Sequence, residues 1–132
     1  MRTLFTMVLL IGGLVAVQAA DQGAKPLTPV EAIKKVNEKI TVQMLVKSTK
    51  NRLEKRGEIY LDSEEDFRNE KNLGVVVTKD GAAKFKKAGV DDPAIHFKDK
   101  LIRVTGMVII KEKRPRIEVN DPNQIRIVDK EK

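Results

Sequence analysis

Two short segments of the sequence, residues 47–56 and 111–116, concentrate positive charge. The first holds five basic residues against one acid, and the second holds four against one. The basic residues that are candidate ligand-binding groups are Lys50, Arg52, Lys55, Arg56, Lys111, Lys113, Arg114 and Arg116. Because the formal net charge of the whole chain is +7, these segments account for its positive excess. Such clustering is typical of surfaces that bind polyanions, whereas an even spread would indicate only solubility.

Aromatic rings that could stack on a ligand are few. Beyond the first 20 residues the chain has only Tyr60, Phe67, Phe85 and Phe97. Tyr60 lies between Ile59 and Leu61, so strand alternation would turn its ring away from the core. We therefore add Tyr60 to the candidate ligand-binding residues, although packing against another element would explain it as well.

A third segment is acidic and lies between the two basic ones. It could bind a hard cation or supply carboxylates to a nuclease. Its acids are Asp62, Glu64, Glu65, Asp66 and Glu70. It lacks the twelve-residue spacing and the glycine of a calcium loop, so a solvated, weakly ordered loop is expected and no metal site is assigned.

The residue types that most catalytic sites need are scarce. The chain has no cysteine, which excludes thiolate nucleophiles and disulfides, and His96 is its only histidine. No glycine-rich phosphate loop with a Gly-Lys-Ser/Thr sequence occurs. We therefore expect no enzyme activity, no catalytic residues and no cofactor.

The N-terminus has the pattern of an export signal. Arg2 precedes an apolar run, Leu4 to Val17, that ends in the small-residue sequence Val17-Gln18-Ala19. A run of about 14 residues is shorter than the roughly 20 that span a bilayer. The sequence predicts a signal peptide at 1–19, a flexible leader at 20–27 and one domain at 28–132. The mature protein is expected in the bacterial periplasm or outside the cell, without a membrane span.

Changes in hydrophobic periodicity outline the elements that would carry the basic segments. Thr28, Pro29 and Glu31 form a helix start, and short alternating runs follow it. The predicted elements are a helix at 29–37, strands at 40–47, 57–62 and 73–78, a helix at 82–88, strands at 101–110 and 115–120, and an extended piece at 124–128. Gly106 within the fourth strand predicts a bulge or bend.

This order of elements is that of a mainly β, five-stranded Greek-key barrel with a short N-terminal helix and a second helix between strands three and four. The stretches KITVQMLVKST, HFKDKLIRVTGMVII and RIEVNDPNQIRIV resemble small exported bacterial proteins of the oligonucleotide/oligosaccharide-binding (OB) fold. The resemblance covers about residues 28–128 and implies the fold but no catalytic residues. In that fold both basic segments flank one face, across strands two and three.

Two functions remain open on this basis. In the first, the face between the basic segments binds an extended polyanion, either single-stranded nucleic acid or an acidic polysaccharide. In the second, the domain is a protein-interaction or envelope structural module with no nucleic-acid role, and its loops are basic for solubility, edge protection or docking of a protein partner.

Overall fold

The structure is a computed structural model that describes residues 25–128. The predicted signal peptide and leader residues 20–24 lie outside the described residues. The elements are α1 (Pro29–Ala32), β1 (Lys39–Leu45), β2 (Ser48–Arg52), α2 (Leu53–Arg56), β3 (Glu58–Asp62), β4 (Gly74–Thr78), α3 (Lys79–Lys87), α4 (Pro93–Phe97), β5 (Leu101–Lys111), β6 (Arg114–Val119), a 3₁₀ helix (Pro122–Gln124) and β7 (Ile125–Ile127). Within this range no helix has the length and apolar character needed to cross a membrane.

Seven strands form one sheet in the order β1-β5-β6-β4-β3-β2, and β7 pairs with β5. All pairs are antiparallel except β4 with β6. The two end strands, β1 and β2, follow each other along the chain. Between them, the Val46 amide donates to the Lys100 carbonyl and the Lys47 amide donates to the Asp62 carbonyl, each at 2.9 Å. The chain thus changes pairing partner at residues 46–47, from the end of β5 to the end of β3.

The strand count corrects the sequence prediction. Residues 48–52 were expected to be a loop because they are polar, yet they form β2 and pair with β3. None of the residues of β2 is fully buried, so the strand has no apolar alternation that a sequence pattern could show. The piece around 124–128 is likewise a short strand, β7, paired with β5.

The predicted alternation is confirmed in β1, β3 and β6 and in β5 as far as Val108, whereas residues 74–77 of β4 are all buried. Val42, Ile59, Leu61, Ile117 and Val119 are buried in one hydrophobic core. The predicted helix at 82–88 corresponds to α3, which begins after the N-cap Thr78. Its Phe85 meets Phe97 of α4 edge to face, with ring centroids 5.7 Å apart, so both helices pack on the core.

The helices differ from the prediction in number and in their boundaries. The capping box of Thr28 and Glu31 is present, but α1 ends at Ala32, and Asn37 has a φ of +71° that no helix accommodates. Two further helices, α2 and α4, lie in segments where no helix was predicted. The Asp92 side chain caps α4 by accepting a hydrogen bond from the Ala94 amide.

Leu27, which the sequence placed in the flexible leader, belongs to the folded part of the chain. It forms a parallel bridge with Val42 of β1. Its amide donates to the Thr41 carbonyl and its carbonyl accepts from the Gln43 amide, both at 2.9 Å. The ordered chain therefore begins before Thr28.

Gly106 does not interrupt its strand, which runs continuously from Leu101 to Lys111. Pairing with β1 extends to Met107, and pairing with β6 begins at Val108. A Cβ atom at residue 106 would lie 2.6 Å from Cγ2 of Ile117. The glycine is therefore needed for the close approach of β5 and β6 where β5 changes partner, rather than for a bulge.

Candidate functional site

Strand register assembles a polar surface on the face of the sheet that is turned away from the core. Tyr60 of β3 lies opposite Lys50 of β2 on one side and opposite Val76 of β4 on the other. In the neighbouring row, Asp62 lies between Ser48 and Gly74. Because side chains two residues apart share a face, these rows form one continuous surface across β2, β3 and β4.

This surface is the floor of a groove with a volume of about 500 Å³. The predicted site residues that line the groove are Lys50, Arg52, Arg56, Tyr60, Lys111, Arg114 and Arg116. Lys55 in α2 and Lys113 in the turn between β5 and β6 are exposed but do not line it. The fold thus brings together residues of both basic segments, which are about 60 positions apart in sequence.

The groove cations are held by strands more than by loops, which corrects the sequence interpretation. Lys50 and Arg52 belong to β2, while Lys111 and Arg114 are paired at the end of the β5–β6 hairpin. The connection in that hairpin is only Glu112 and Lys113, both at positive φ. Backbone pairing therefore fixes the position from which each basic side chain extends away from the sheet.

Four of these cations are available to a ligand. Among the described residues, no carboxylate lies within 4.0 Å of the charged groups of Lys50, Arg52, Lys111 or Arg114. All four residues are exposed. The guanidinium of Arg114 lies 5.0 Å from the ring centroid of Phe67, a half-exposed residue that also lines the groove. This contact is a cation–π interaction that joins the acidic segment to the β5–β6 hairpin.

Arg116 differs from the other cations because it is buried. It lies in β6, within the strand predicted at 115–120, but only 7% of its surface is exposed, whereas the sequence analysis counted it among the ligand-binding cations. Its Nη1 atom lies 3.1 Å from Glu58 Oε2 and 3.3 Å from Glu118 Oε2. With two carboxylates against it, its charge contributes little to the groove.

Tyr60 connects the buried ion pairs to the rim of the groove. Its hydroxyl donates to Glu58 and accepts from Arg56 Nε at 3.1 Å, and Arg56 Nη2 lies 3.3 Å from Glu112 Oε2. Partial burial, followed by the hydrogen bond to Glu58, raises the pKa of the Tyr60 hydroxyl. Burial opposes ionisation of Glu58, but the hydrogen bonds from Tyr60 and Arg116 outweigh it and lower the pKa of that carboxyl. Glu58 is therefore ionised and Tyr60 neutral at pH 7.

Asp62 corrects the expectation that the acidic segment is uniformly solvated. It is the last residue of β3, is 8% exposed and lines the groove. Burial raises the pKa of its carboxyl, against the opposing effects of a 3.0 Å hydrogen bond from Asn72 and of the charges of Lys50 and Arg116. Asn72 also accepts from the Glu64 amide at 2.9 Å, which ties the loop to the strand. Within residues 25–128 there is no group of three potential metal-ligating side chains.

The sequence reasoning named Asp62 only as a carboxylate of the acidic segment, and it missed Glu58 and Glu118, which lie against Arg116. Glu58 and Asp62 share the outward face with Tyr60, and Glu118 alternates with the buried Ile117 and Val119. Strand alternation was thus a sufficient signal for their position. The contact of Glu58 with Arg116 depends on the pairing of β3 with β4 and of β4 with β6, which no local pattern reveals.

Comparison with known proteins identifies a fold and no family. No protein-family model matches the sequence, and no curated protein matches it. The structure of asparaginyl-tRNA synthetase from Pyrococcus horikoshii matches 79% of this chain, with a TM-score of 0.52 and 17% sequence identity. The structure of aspartyl tRNA synthetase from Entamoeba histolytica matches 83% of this chain, with a TM-score of 0.54 and 15% sequence identity. The match spans only 23% and 22% of those chains.

A third structure is matched over nearly its whole length. The OBody AM1L10, solved bound to hen egg-white lysozyme, has a TM-score of 0.53 and 14% identity, and the match covers 81% of this chain and 97% of the OBody. The fold is that of OB domains. At these identities the likeness shows the fold alone.

Proposed function

We propose that this domain binds an extended anionic polymer, either single-stranded nucleic acid or an acidic polysaccharide, in the groove between the β2–β3 and β5–β6 hairpins. The observation that carries the proposal is the convergence on one groove of four cations that form no ion pair with any residue of the described range 25–128. Lys50 and Arg52 line it from one hairpin, and Lys111 and Arg114 line it from the other. Two rings, Tyr60 and Phe67, lie in the same groove.

Electrostatics and stacking would act together in this groove. Exposed cations that are not neutralised by the protein attract anions and release counterions when they bind a polymer. Aromatic rings add sequence-tolerant stacking for bases. Two of the structural neighbours are, by name, synthetases for tRNA, so the fold is compatible with nucleic-acid binding.

The proposal includes a closed five-stranded barrel, in which residues 39–52 act as one bent strand. The hydrogen bonds of Val46 and Lys47 to the ends of β5 and β3 support this view, because they continue the pairing through the bend. A closed barrel would hold the two hairpins at a fixed separation across the groove.

We also propose that the domain acts outside the cytoplasm, after removal of residues 1–19, and as a binding module without catalysis. The pattern of Arg2 followed by an apolar run supports export. The only histidine, His96, lies on α4 and does not line the groove, which favours binding over acid–base chemistry there.

The experiment is a titration of labelled oligodeoxythymidylate and of a labelled acidic glycan with the mature protein at about 50 and about 200 mM salt. A single strand that contacts all four free cations should show log affinity falling with log salt at a slope of about −3, from ~0.7 per contact. A glycan with fewer charges in the groove should give a smaller slope. If neither polymer binds at the lower salt concentration, the proposal is wrong and a protein partner becomes the better explanation of the basic surface.

A further inference from the structure

The polar composition of the groove is more specific than its positive rim. We infer that its ligand is an acidic carbohydrate of low charge density, in which carboxylates contact the rim cations and hydroxyl groups donate hydrogen bonds to the carboxylates of the floor. This inference rests on the proposed function and selects one of its two ligand classes.

The first argument is the charge balance of the groove. Besides its six cations, three carboxylates line it, from Asp62, Glu65 and Glu112. Two more, Glu58 and Glu118, neutralise Arg116 in the floor. The nine groups that line the groove sum to +3, and Glu58 and Glu118, which lie against Arg116 without lining the groove, lower the formal sum over all eleven groups to +1. A surface with nearly as many carboxylates as cations is poorly matched to a polymer that carries one negative charge on every unit.

The second argument is the chemistry of the carboxylates as hydrogen-bond acceptors. Phosphodiester oxygens only accept hydrogen bonds, so a nucleic-acid backbone next to Glu65 or Asp62 would experience repulsion without a compensating contact. Sugar hydroxyl groups both donate and accept. They can therefore bind the carboxylates of the floor as well as the lysines and arginines of the rim.

The third argument is the state of Asp62. One of its oxygens accepts from Asn72, and the other accepts no hydrogen bond from any described residue. The residue is more than nine-tenths buried and lines the groove. A buried acceptor without a hydrogen-bond donor costs free energy, and a ligand hydroxyl that donates to this oxygen would remove that cost. No such donor is offered by a phosphate.

Size and shape agree with a short carbohydrate segment. A groove of about 500 Å³ lies within the range of pockets that take compact ligands, so it holds a few sugar units rather than a long strand. Tyr60 and Val76 form an apolar strip along its floor, next to the polar row of Asp62 and Ser48. Sugar rings have apolar C–H faces and polar edges, which fits this alternation.

The test compares two probes and a charge-removing substitution. The probes are a hyaluronan oligosaccharide, with one carboxylate on every second sugar, and oligodeoxythymidylate. Asp62→Asn removes a negative charge and replaces an acceptor by a donor. For a carbohydrate ligand it should weaken hyaluronan binding about tenfold, the loss of one hydrogen bond to a charged group. For a nucleic-acid ligand it should strengthen oligodeoxythymidylate binding, because repulsion is removed.

The matched control is Asp66→Asn, which removes the same charge from the loop that follows β3, at a residue that pairs with Arg68 and does not line the groove. It should change either affinity by less than about twofold. If Asp62→Asn does not fold, Glu65→Gln at an exposed position of the groove replaces it. It should likewise weaken hyaluronan binding if the ligand is a carbohydrate and strengthen oligodeoxythymidylate binding if the ligand is a nucleic acid. Preferential binding of oligodeoxythymidylate, strengthened by Asp62→Asn, overturns the inference and leaves the proposed function intact. Absence of binding by both probes overturns both.

Discussion

Single side chains in the groove have two kinds of environment, and the difference decides what each can do. Lys50 and Arg114 are exposed and make no ion pair with the described residues, so their charges are available to a ligand. Arg116 is buried between Glu58 and Glu118 and is structural in character. From the sequence, all of these basic residues were predicted to bind the ligand. Their different burial and ion pairing could not be predicted, because both depend on contacts between distant segments.

Tyr60 tests whether a ring in the floor contributes to binding. Tyr60→Ala is expected to weaken polymer binding by ~1–3 kcal/mol, because a stacking surface is lost. Tyr60→Phe keeps the ring and removes the hydroxyl that bonds Glu58 and Arg56, so it should keep the affinity and lower the free energy of unfolding by about 1 kcal/mol. Binding titrations and chemical denaturation measure the two effects. A loss of stability in Tyr60→Ala without any loss of affinity would show that the ring only packs.

Asp62 makes stability depend on pH in an unusual direction. Its pKa is raised in the folded state, so the folded protein binds more protons than the unfolded chain between the ordinary value of 3.8 and the raised one. The contribution of this residue to the free energy of unfolding therefore falls as pH rises through that window. Asp62→Asn should raise the melting temperature at pH 7, and the advantage should shrink toward pH 3. A difference that grows on acidification would contradict the burial of an unfavourable carboxylate.

Secondary structure could be predicted from the sequence wherever side chains alternate between core and solvent. The strands around Ile59 and Ile117 were located correctly for this reason, whereas the strand around Val75 was located from its run of β-branched residues, four successive residues of it being buried. Residues 48–52 were missed because β2 buries none of its side chains completely and is stabilised by backbone pairing with β3. The connection predicted between 110 and 115 contains the turn, but its tightness was not predicted, since Glu112 and Lys113 both adopt the positive φ that usually selects glycine or asparagine.

The packing of one strand against its neighbour gives a further prediction, because the contact between β5 and β6 depends on Gly106. An added methyl group would lie 2.6 Å from Ile117 Cγ2 in the core, so Gly106→Ala is expected to destabilise the fold by ~1–3 kcal/mol through overpacking. Gly74→Ala is the matched control, because there the nearest atom, Asp62 Oδ1, is 3.4 Å away. Urea denaturation of the two variants gives the comparison. Equal stability of both would show that β5 and β6 can separate without cost.

Over the whole molecule, the positive charge is organised by topology and not by sequence proximity. The two basic segments meet because β2 pairs with β3, β3 with β4, β4 with β6 and β6 with β5. The sequence predicted this convergence through its resemblance to OB domains, and seven of the nine predicted site residues do line one groove. The burial of Asp62 and the contact of Glu58 with Arg116 were not predicted, since both depend on the register of the strands.

The most direct test of the central claim compares two double variants with the same net charge. Lys50→Ala with Arg114→Ala removes one free cation from each wall of the groove. Lys86→Ala with Lys87→Ala removes two exposed lysines of α3 that do not line it. Affinity for the polyanion that the wild-type protein binds is measured at one low salt concentration. The groove variant should lose at least about tenfold, and the α3 variant should stay within about twofold of the wild type. Equal losses in the two variants would show that only overall charge attracts the polymer and would contradict a binding groove.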